Sequence, residues 1–172
     1  MAFAFLVEDG TGLVAAANSY VSVSDADDST TLNIHASDAW NALSNADKER
    51  MLSWGTRILD DYTRWFGTKT VSDSPLRWPR TGVTDCDDIT IDANTIPEQL
   101  KVATAEMARF YSVQDRTLDR DQDGLESLTA DVVELVFRKN YKLPTIPGNM
   151  TYLIQCLGTI TSGKPRFVNI IR

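Results

Sequence analysis

The sequence has few of the residues that metal sites and nucleophilic sites need. It contains a single histidine, His35, and only two cysteines, Cys86 and Cys156. One histidine cannot supply a histidine-based metal site or a catalytic triad, and no base stands beside either cysteine to activate its thiol. We therefore expect no catalytic residue, no metal ligand set, no cofactor and no enzymatic activity. The two cysteines stand far apart in no metal-ligand spacing, which favours two free thiols over a structural disulfide.

The sequence also lacks an excess of basic side chains. Lys and Arg number 17 against 24 Asp and Glu, for a net charge of −7. A protein that neutralises phosphates usually carries a basic footprint, so general affinity for DNA is disfavoured. No run approaches the roughly 18 apolar residues of a membrane span, and the first residues lack the basic region of a signal peptide. We expect no membrane partner and synthesis in a cytoplasm.

The hydrophobic periodicity predicts a mainly α fold, in which a small helical bundle carries a short strand or hairpin and extended N- and C-terminal arms. Helix 44–66 is the clearest element, because Ser44 and Asp47 form a capping box ahead of apolar residues at helical spacing. A weaker helix over 22–33, a third over 95–111 and a short last helix near 150–157 complete the bundle. Residues 22–157 form the helical domain in this interpretation.

Four segments fall outside the helices. Residues 1–21 are expected to be an extended arm, with turns at Asp9-Gly10 and Gly12 and with Tyr20 near its end. Residues 67–95 read as a long loop with one short extended piece at 89–91. Alternating apolar and charged residues over 133–137 predict a strand or hairpin, and 158–172 form a tail.

The acidic run DRDQDG at 119–124 resembles the first half of an EF-hand calcium loop. The second half fails, because the position that requires a bidentate glutamate falls on Ala130. A solvated surface turn is therefore favoured over a calcium site.

The loop sequence RWPRTGV places Arg77 and Arg80 around the Trp78-Pro79 step. Such a cluster can stack on nucleic-acid bases, bind a partner protein or hold a loop against its own core. We expect Trp78 and Pro79 to fix the loop, while the two arginines face carboxylates of the same or a neighbouring subunit. The other three tryptophans are assigned to the core: Trp40, Trp54 and Trp65.

The last ten residues are basic and apolar in an otherwise acidic chain. We expect them to form an extended strand that adds to a partner's sheet edge or lies between subunits. The alternative is pairing with a strand at 132–137 of the same domain. The partner-binding residues are Lys164, Arg166, Phe167, Val168, Ile170, Ile171 and Arg172.

Five sequence pieces together resemble the head-tail adaptor (connector, or neck) proteins of tailed bacteriophages. They are VEDGTGL at 7–13, ANSYVS at 17–22, the helix at 39–61, RWPRTGV at 77–83 and IPEQLKVATAEMARFY at 96–111. Some members of this group carry the label of DnaT-like single-stranded-DNA-binding proteins. The resemblance covers most of the chain, but the last 60 or so residues match it only in kind.

The resemblance implies a structural protein that forms a ring, typically twelve-fold, in the virion neck after assembly in the host cytoplasm. Its partners would be the portal protein, further copies of itself, and the tail or a further neck protein. DNA would pass through the ring without specific binding, which suits an acidic chain. The alternative function is a single-stranded-DNA-binding replication or packaging accessory protein.

Overall fold

The structure is a computed structural model that describes residues 3–35, 37–118, 127–130, 133–136 and 144–161. These residues form five helices: α1 Val23–Thr31, α2 Ser37–Asn41, α3 Asn45–Tyr62, α4 Glu98–Val113 and α5 Gly148–Ile154. They also form six strands: β1 Thr63–Trp65, β2 Thr68–Lys69, β3 Arg80–Thr81, β4 Ser127–Ala130, β5 Val133–Val136 and β6 Gly158–Ile160.

The strands pair into three two-stranded antiparallel sheets, β1 with β6, β2 with β3 and β4 with β5. The prediction of a mainly α bundle is therefore wrong, because the described residues form a mixed α/β fold. Four of these strands, β1, β2, β3 and β6, have only two or three residues, which is too short to show an alternating pattern. The β1–β6 pair also joins segments almost 100 residues apart in the sequence, which no local pattern can predict.

Local sequence signals position two of the helix starts as expected. Ser22 and Ser44 are the N-caps of α1 and α3, and each side-chain oxygen accepts a hydrogen bond from the backbone amide three residues later. The third predicted helix begins later than residue 95, because Pro97 is the N-cap of α4, and no side chain caps that helix. Helix α3 ends at Tyr62, four residues before the predicted end, because 63–65 pair with β6 instead.

Helices α3 and α4 lie at the centre of the domain and pack closely. A Cβ atom on Gly55 of α3 would lie 3.1 Å from the backbone nitrogen of Ala108 in α4, so glycine permits this approach. The larger core cluster collects buried side chains from the N-terminal segment, the long loop and helices α3 to α5. Its fully buried members include Leu59, Trp78, Leu100, Met107 and Ile154.

The segment predicted as an N-terminal arm takes part in this core. Ala17 and Tyr20 belong to the larger cluster, and Val21 belongs to a smaller one with Trp40 and Leu52. Trp40 and Trp65 are buried as predicted, whereas Trp54 is only partly buried at the edge of the core. The end of the segment is thus held by the same hydrophobic burial as the helices.

The two cysteines form a disulfide, so the prediction of free thiols is wrong. The Cys86 and Cys156 Cα atoms lie 5.3 Å apart, and the bond joins the loop between β3 and α4 to the residues just after α5. A bridge between Thr84 and Thr90 closes the loop that carries Cys86. The sequence separation of 70 gave no sign of this proximity, which arises only from tertiary packing.

The C-terminal half agrees with the sequence in part. Strands β4 and β5 form the predicted hairpin, and the first three residues of the predicted tail form β6. The DRDQDG run and the tail residues from 163 to 172 lie outside the described residues. Among the described helices, none is long and apolar enough to cross a membrane.

Candidate nucleic-acid interface

A buried polar junction joins three distant segments of the chain. The Asp60 carboxylate, near the end of α3, accepts hydrogen bonds from the Tyr20 hydroxyl (2.8 Å) and the Trp65 indole N–H (2.9 Å). Its second oxygen accepts the backbone N–H of Arg77 at 3.1 Å. The Tyr20 hydroxyl in turn accepts the backbone N–H groups of Arg77 and Trp78, each at 3.2 Å. This junction fixes the start of the RWPRTGV loop against α3.

Burial changes the acidity of both groups at the junction. It raises the pKa of Asp60 above its usual value, while the hydrogen bonds from Tyr20, Arg77 and Trp65 lower it by smaller amounts. Burial, together with the adjacent Asp60, also raises the pKa of Tyr20 well above its usual value. The Tyr20 hydroxyl therefore keeps its proton and remains a donor to Asp60.

The loop residues are held within their own domain. Trp78 is fully buried and meets the Trp65 ring edge to face, with ring centroids 6.1 Å apart, which confirms the prediction that Trp78 fixes the loop. The Arg80 guanidinium donates hydrogen bonds to the carbonyl oxygens of Phe66, Gly67 and Arg77. Within its own domain Arg80 therefore bonds to backbone carbonyl oxygens. A contact of Arg77 or Arg80 with carboxylates of a neighbouring subunit stays a prediction.

The N-terminal turn is held by one buried carboxylate. Glu8 Oε1 accepts the backbone N–H groups of Gly10 at 3.1 Å and Gly12 at 2.7 Å. Both glycines have positive φ angles, 99° and 72°, so the predicted turn residues adopt a backbone that favours glycine. Asp9 accepts hydrogen bonds from Thr11, which lower the pKa of its exposed carboxyl.

The junction lies beside a groove lined by three arginines, which we call the arginine groove. It has a volume of about 590 Å³, and its basic and aromatic lining residues are Phe3, Arg50, Trp54, Arg57 and Arg77. Two carboxylates, Asp60 and Asp61, also line it. All three arginines are exposed, Phe3 is half exposed and Trp54 is partly buried. The Arg57 guanidinium lies 5.5 Å from the centre of the Trp54 ring, within the range of a cation–π contact.

Two of the arginines have carboxylate neighbours on α3. Arg50 pairs with Asp47 at 3.1 Å and Arg57 with Asp61 at 3.6 Å. All four side chains are about half exposed or more, so each pair contributes little to stability and is readily exchanged for another anion. The groove can therefore offer guanidinium groups to phosphates beside an aromatic face.

The sequence reasoning identified Arg77 but missed the rest of this groove. Trp54 was assigned to the core because it lies on the apolar stripe of α3. The spacing of Arg50, Trp54 and Arg57 was the available signal, since residues four and three apart share one face of a helix. The contributions of Phe3 and Arg77 depend on tertiary packing and have no local signal.

A family described as "Putative DnaT-like ssDNA binding protein" matches residues 3–172 of the chain. No curated protein and no solved structure matches the chain. The match spans nearly the whole chain and includes the segments that build the junction and the arginine groove.

Proposed function

The chain belongs to this DnaT-like family, and on that premise we propose that it binds single-stranded DNA in the arginine groove. The observation that carries the proposal is that three exposed arginines and one partly buried indole line the same groove, with the Arg57 guanidinium against the Trp54 ring. Proteins that bind single strands without sequence preference combine positive charge along the backbone with aromatic faces on which bases stack. The arginine groove supplies both within about 590 Å³, which is room for a drug-sized ligand such as one nucleotide.

Each lining residue has a distinct role in this proposal. Arg50 and Arg57, two turns apart on α3, contact phosphates of the strand, and Arg77 contacts it from the opposite loop. Trp54 supplies the stacking face, with Phe3 beside it. The Tyr20–Asp60 junction holds the backbone of Arg77 in place, so the loop does not need to be ordered when the strand binds.

The net charge of −7 limits the affinity. Repulsion between phosphates and the acidic remainder of the surface opposes the local attraction of three arginines. For a single strand, log K falls with log salt at about 0.7 per neutralised phosphate, so three contacts give a slope of about −2. Raising the salt from 50 to 200 mM should therefore weaken binding about 20-fold.

The test is fluorescence anisotropy with a labelled oligo-dT strand at low salt. Arg57→Gln should weaken binding and reduce the salt slope by about 0.7. Trp54→Leu should cost about 1–3 kcal/mol through lost stacking, with its fold checked by thermal melting. Arg64→Gln is the matched control, because Arg64 is an exposed arginine on β1 that lines a different cavity. Equal effects of Arg57→Gln and Arg64→Gln would contradict the assignment to the arginine groove.

A second candidate function is the structural head-tail adaptor of a tailed bacteriophage. Exposed apolar side chains favour it, above all Leu32 and Ile34 between α1 and α2, which are 87% and 75% exposed. Such side chains are suited to burial by neighbouring subunits or by the portal. In this function the chain is a non-catalytic virion protein that forms a ring in the neck, and DNA slides past it.

Electron microscopy separates the two candidates. An adaptor should form rings when purified portal is added, and Leu32→Ser should reduce the yield of those rings without lowering the melting temperature. Absence of rings on the portal, together with salt-steep binding of oligo-dT, would leave DNA binding as the function.

A further inference from the structure

A second groove, which we call the acidic groove, shares no lining residue with the arginine groove. It consists of two neighbouring cavities of about 280 and 490 Å³ that share Asp25 and Lys101 in their linings. The N-terminal segment, α1 and the first turn of α4 form its walls. Tyr20 lines the first cavity, and its hydroxyl belongs to the junction beside the arginine groove.

The acidic groove carries a large excess of negative charge. Lys101 is the single cation among its lining residues, and it is 3.5 Å from Glu98. The carboxylates that line the two cavities are Glu8, Asp9, Asp25, Asp28 and Glu98. Five carboxylates around one ammonium group favour a cationic ligand.

One of these carboxylates has an unused acceptor. Glu8 is 3% exposed, and its Oε1 is fully engaged with the Gly10 and Gly12 amides. Its Oε2 is buried without a hydrogen-bond partner among the described residues. A buried carboxylate oxygen without a donor costs free energy, so Glu8 adds an incompletely paired negative charge to the wall of the groove.

The acidic groove also offers an apolar contact. Leu32 lines the larger cavity together with Val102, and Leu32 is 87% exposed. The ligand that fits is therefore a segment with both basic and apolar side chains. Residues 163–172, GKPRFVNIIR, have this composition, with three cations and four large apolar side chains among ten residues.

We propose that the acidic groove binds the C-terminal segment 162–172 of a second copy of this chain. Lys164 and Arg166 meet the carboxylates of the groove, and the apolar residues that follow cover Leu32 and Val102. Strand β6 leads to Thr161, whose amide donates to the Tyr62 carbonyl oxygen at 2.8 Å. The cavity beside that end shares no lining residue with the acidic groove, so the segment starts at a separate site. The contact is head to tail, and its charge complementarity does not depend on DNA binding.

The test uses charge reversal in the full chain and sedimentation velocity at 50 mM salt. The wild-type chain should self-associate with rising concentration. Asp25→Lys/Asp28→Lys and, separately, Lys164→Glu/Arg166→Glu should each weaken this association about tenfold or more. An equimolar mixture of the two variants should recover a 1:1 complex, because the reversed segment of one fits the reversed groove of the other.

The matched control is Asp73→Lys/Asp87→Lys, which reverses two exposed carboxylates away from the acidic groove and should leave self-association unchanged. Thermal melts establish that each variant is folded. A wild-type chain that stays monomeric, a segment reversal without effect, or a mixture that associates no better than its components would each overturn the proposal.

Discussion

Replacing Tyr20 by phenylalanine removes one oxygen atom from the centre of the buried junction. The change deletes the hydrogen bond to the Asp60 carboxylate and the acceptor for the Trp78 backbone N–H. The Arg77 amide keeps its second acceptor on Asp60 at 3.1 Å. The ring itself still fits, because Tyr20 is 1% exposed and phenylalanine has the same shape without the hydroxyl.

Two terms set the size of the effect. A hydrogen bond to a charged group contributes about 1.5–3 kcal/mol, and a buried amide left without a partner costs about 1–3 kcal/mol. We expect Tyr20→Phe to lower the free energy of unfolding by about 3–5 kcal/mol. For a domain of this size that corresponds to a fall in Tm of about 10 °C.

The assay is urea unfolding followed by tryptophan fluorescence, with Tyr152→Phe as the control. Tyr152 is 74% exposed, so its hydroxyl should contribute almost nothing. If Tyr20→Phe lowers the free energy of unfolding by less than about 1 kcal/mol, the junction does not hold the loop.

Three further predictions concern the rest of the fold. Cys156→Ser should destabilise the protein by about 4 kcal/mol under oxidising conditions and by nothing further in reductant, since a disulfide with Cys86 closes a loop of about 70 residues; equal stability of both proteins without reductant would contradict the disulfide. Gly10→Ala should cost at least about 2 kcal/mol, because its φ is 99° and the new Cβ would lie 2.3 Å from the Asn94 carbonyl oxygen; a melt matching wild type would contradict this. Because the folded pKa of Asp60 is raised, its contribution to stability is fully present below about pH 3.8 and is lost as the pH rises through the folded pKa. Asp60→Asn should remove this fall in stability in urea titrations between pH 3.5 and 7, and an unchanged pH dependence would contradict the raised pKa.

The parts of the fold that local patterns control were predictable from the sequence. The Ser44 cap, the apolar stripe of α3 and the hairpin of β4 and β5 all depend on residues within a few positions of one another. The β1–β6 pair and the disulfide depend on segments 70 or more residues apart, and neither leaves a local signature. Mixed α/β character was missed for this reason.

The candidate site divides in the same way. Trp78 was correctly expected to fix its loop, because a large aromatic residue beside a proline in a long loop can be buried against the core of its own domain. The arginine groove was missed, because α3 supplies only half of it and the loop and N-terminal segment supply the rest. Net charge argued against DNA binding since it averages over the whole surface, whereas three exposed arginines meet beside two carboxylates in this one groove.

The most direct test of single-stranded-DNA binding in the arginine groove is the salt dependence of binding to oligo-dT. Oligo-dT should bind the wild-type chain saturably, with a slope of log K against log salt of about −2. Neutralising Arg50, Arg57 and Arg77 together should bring the slope close to zero and abolish binding at 50 mM salt. If the wild-type chain fails to bind oligo-dT at 50 mM salt, or if the triple variant keeps the same slope, the arginine groove does not bind single-stranded DNA.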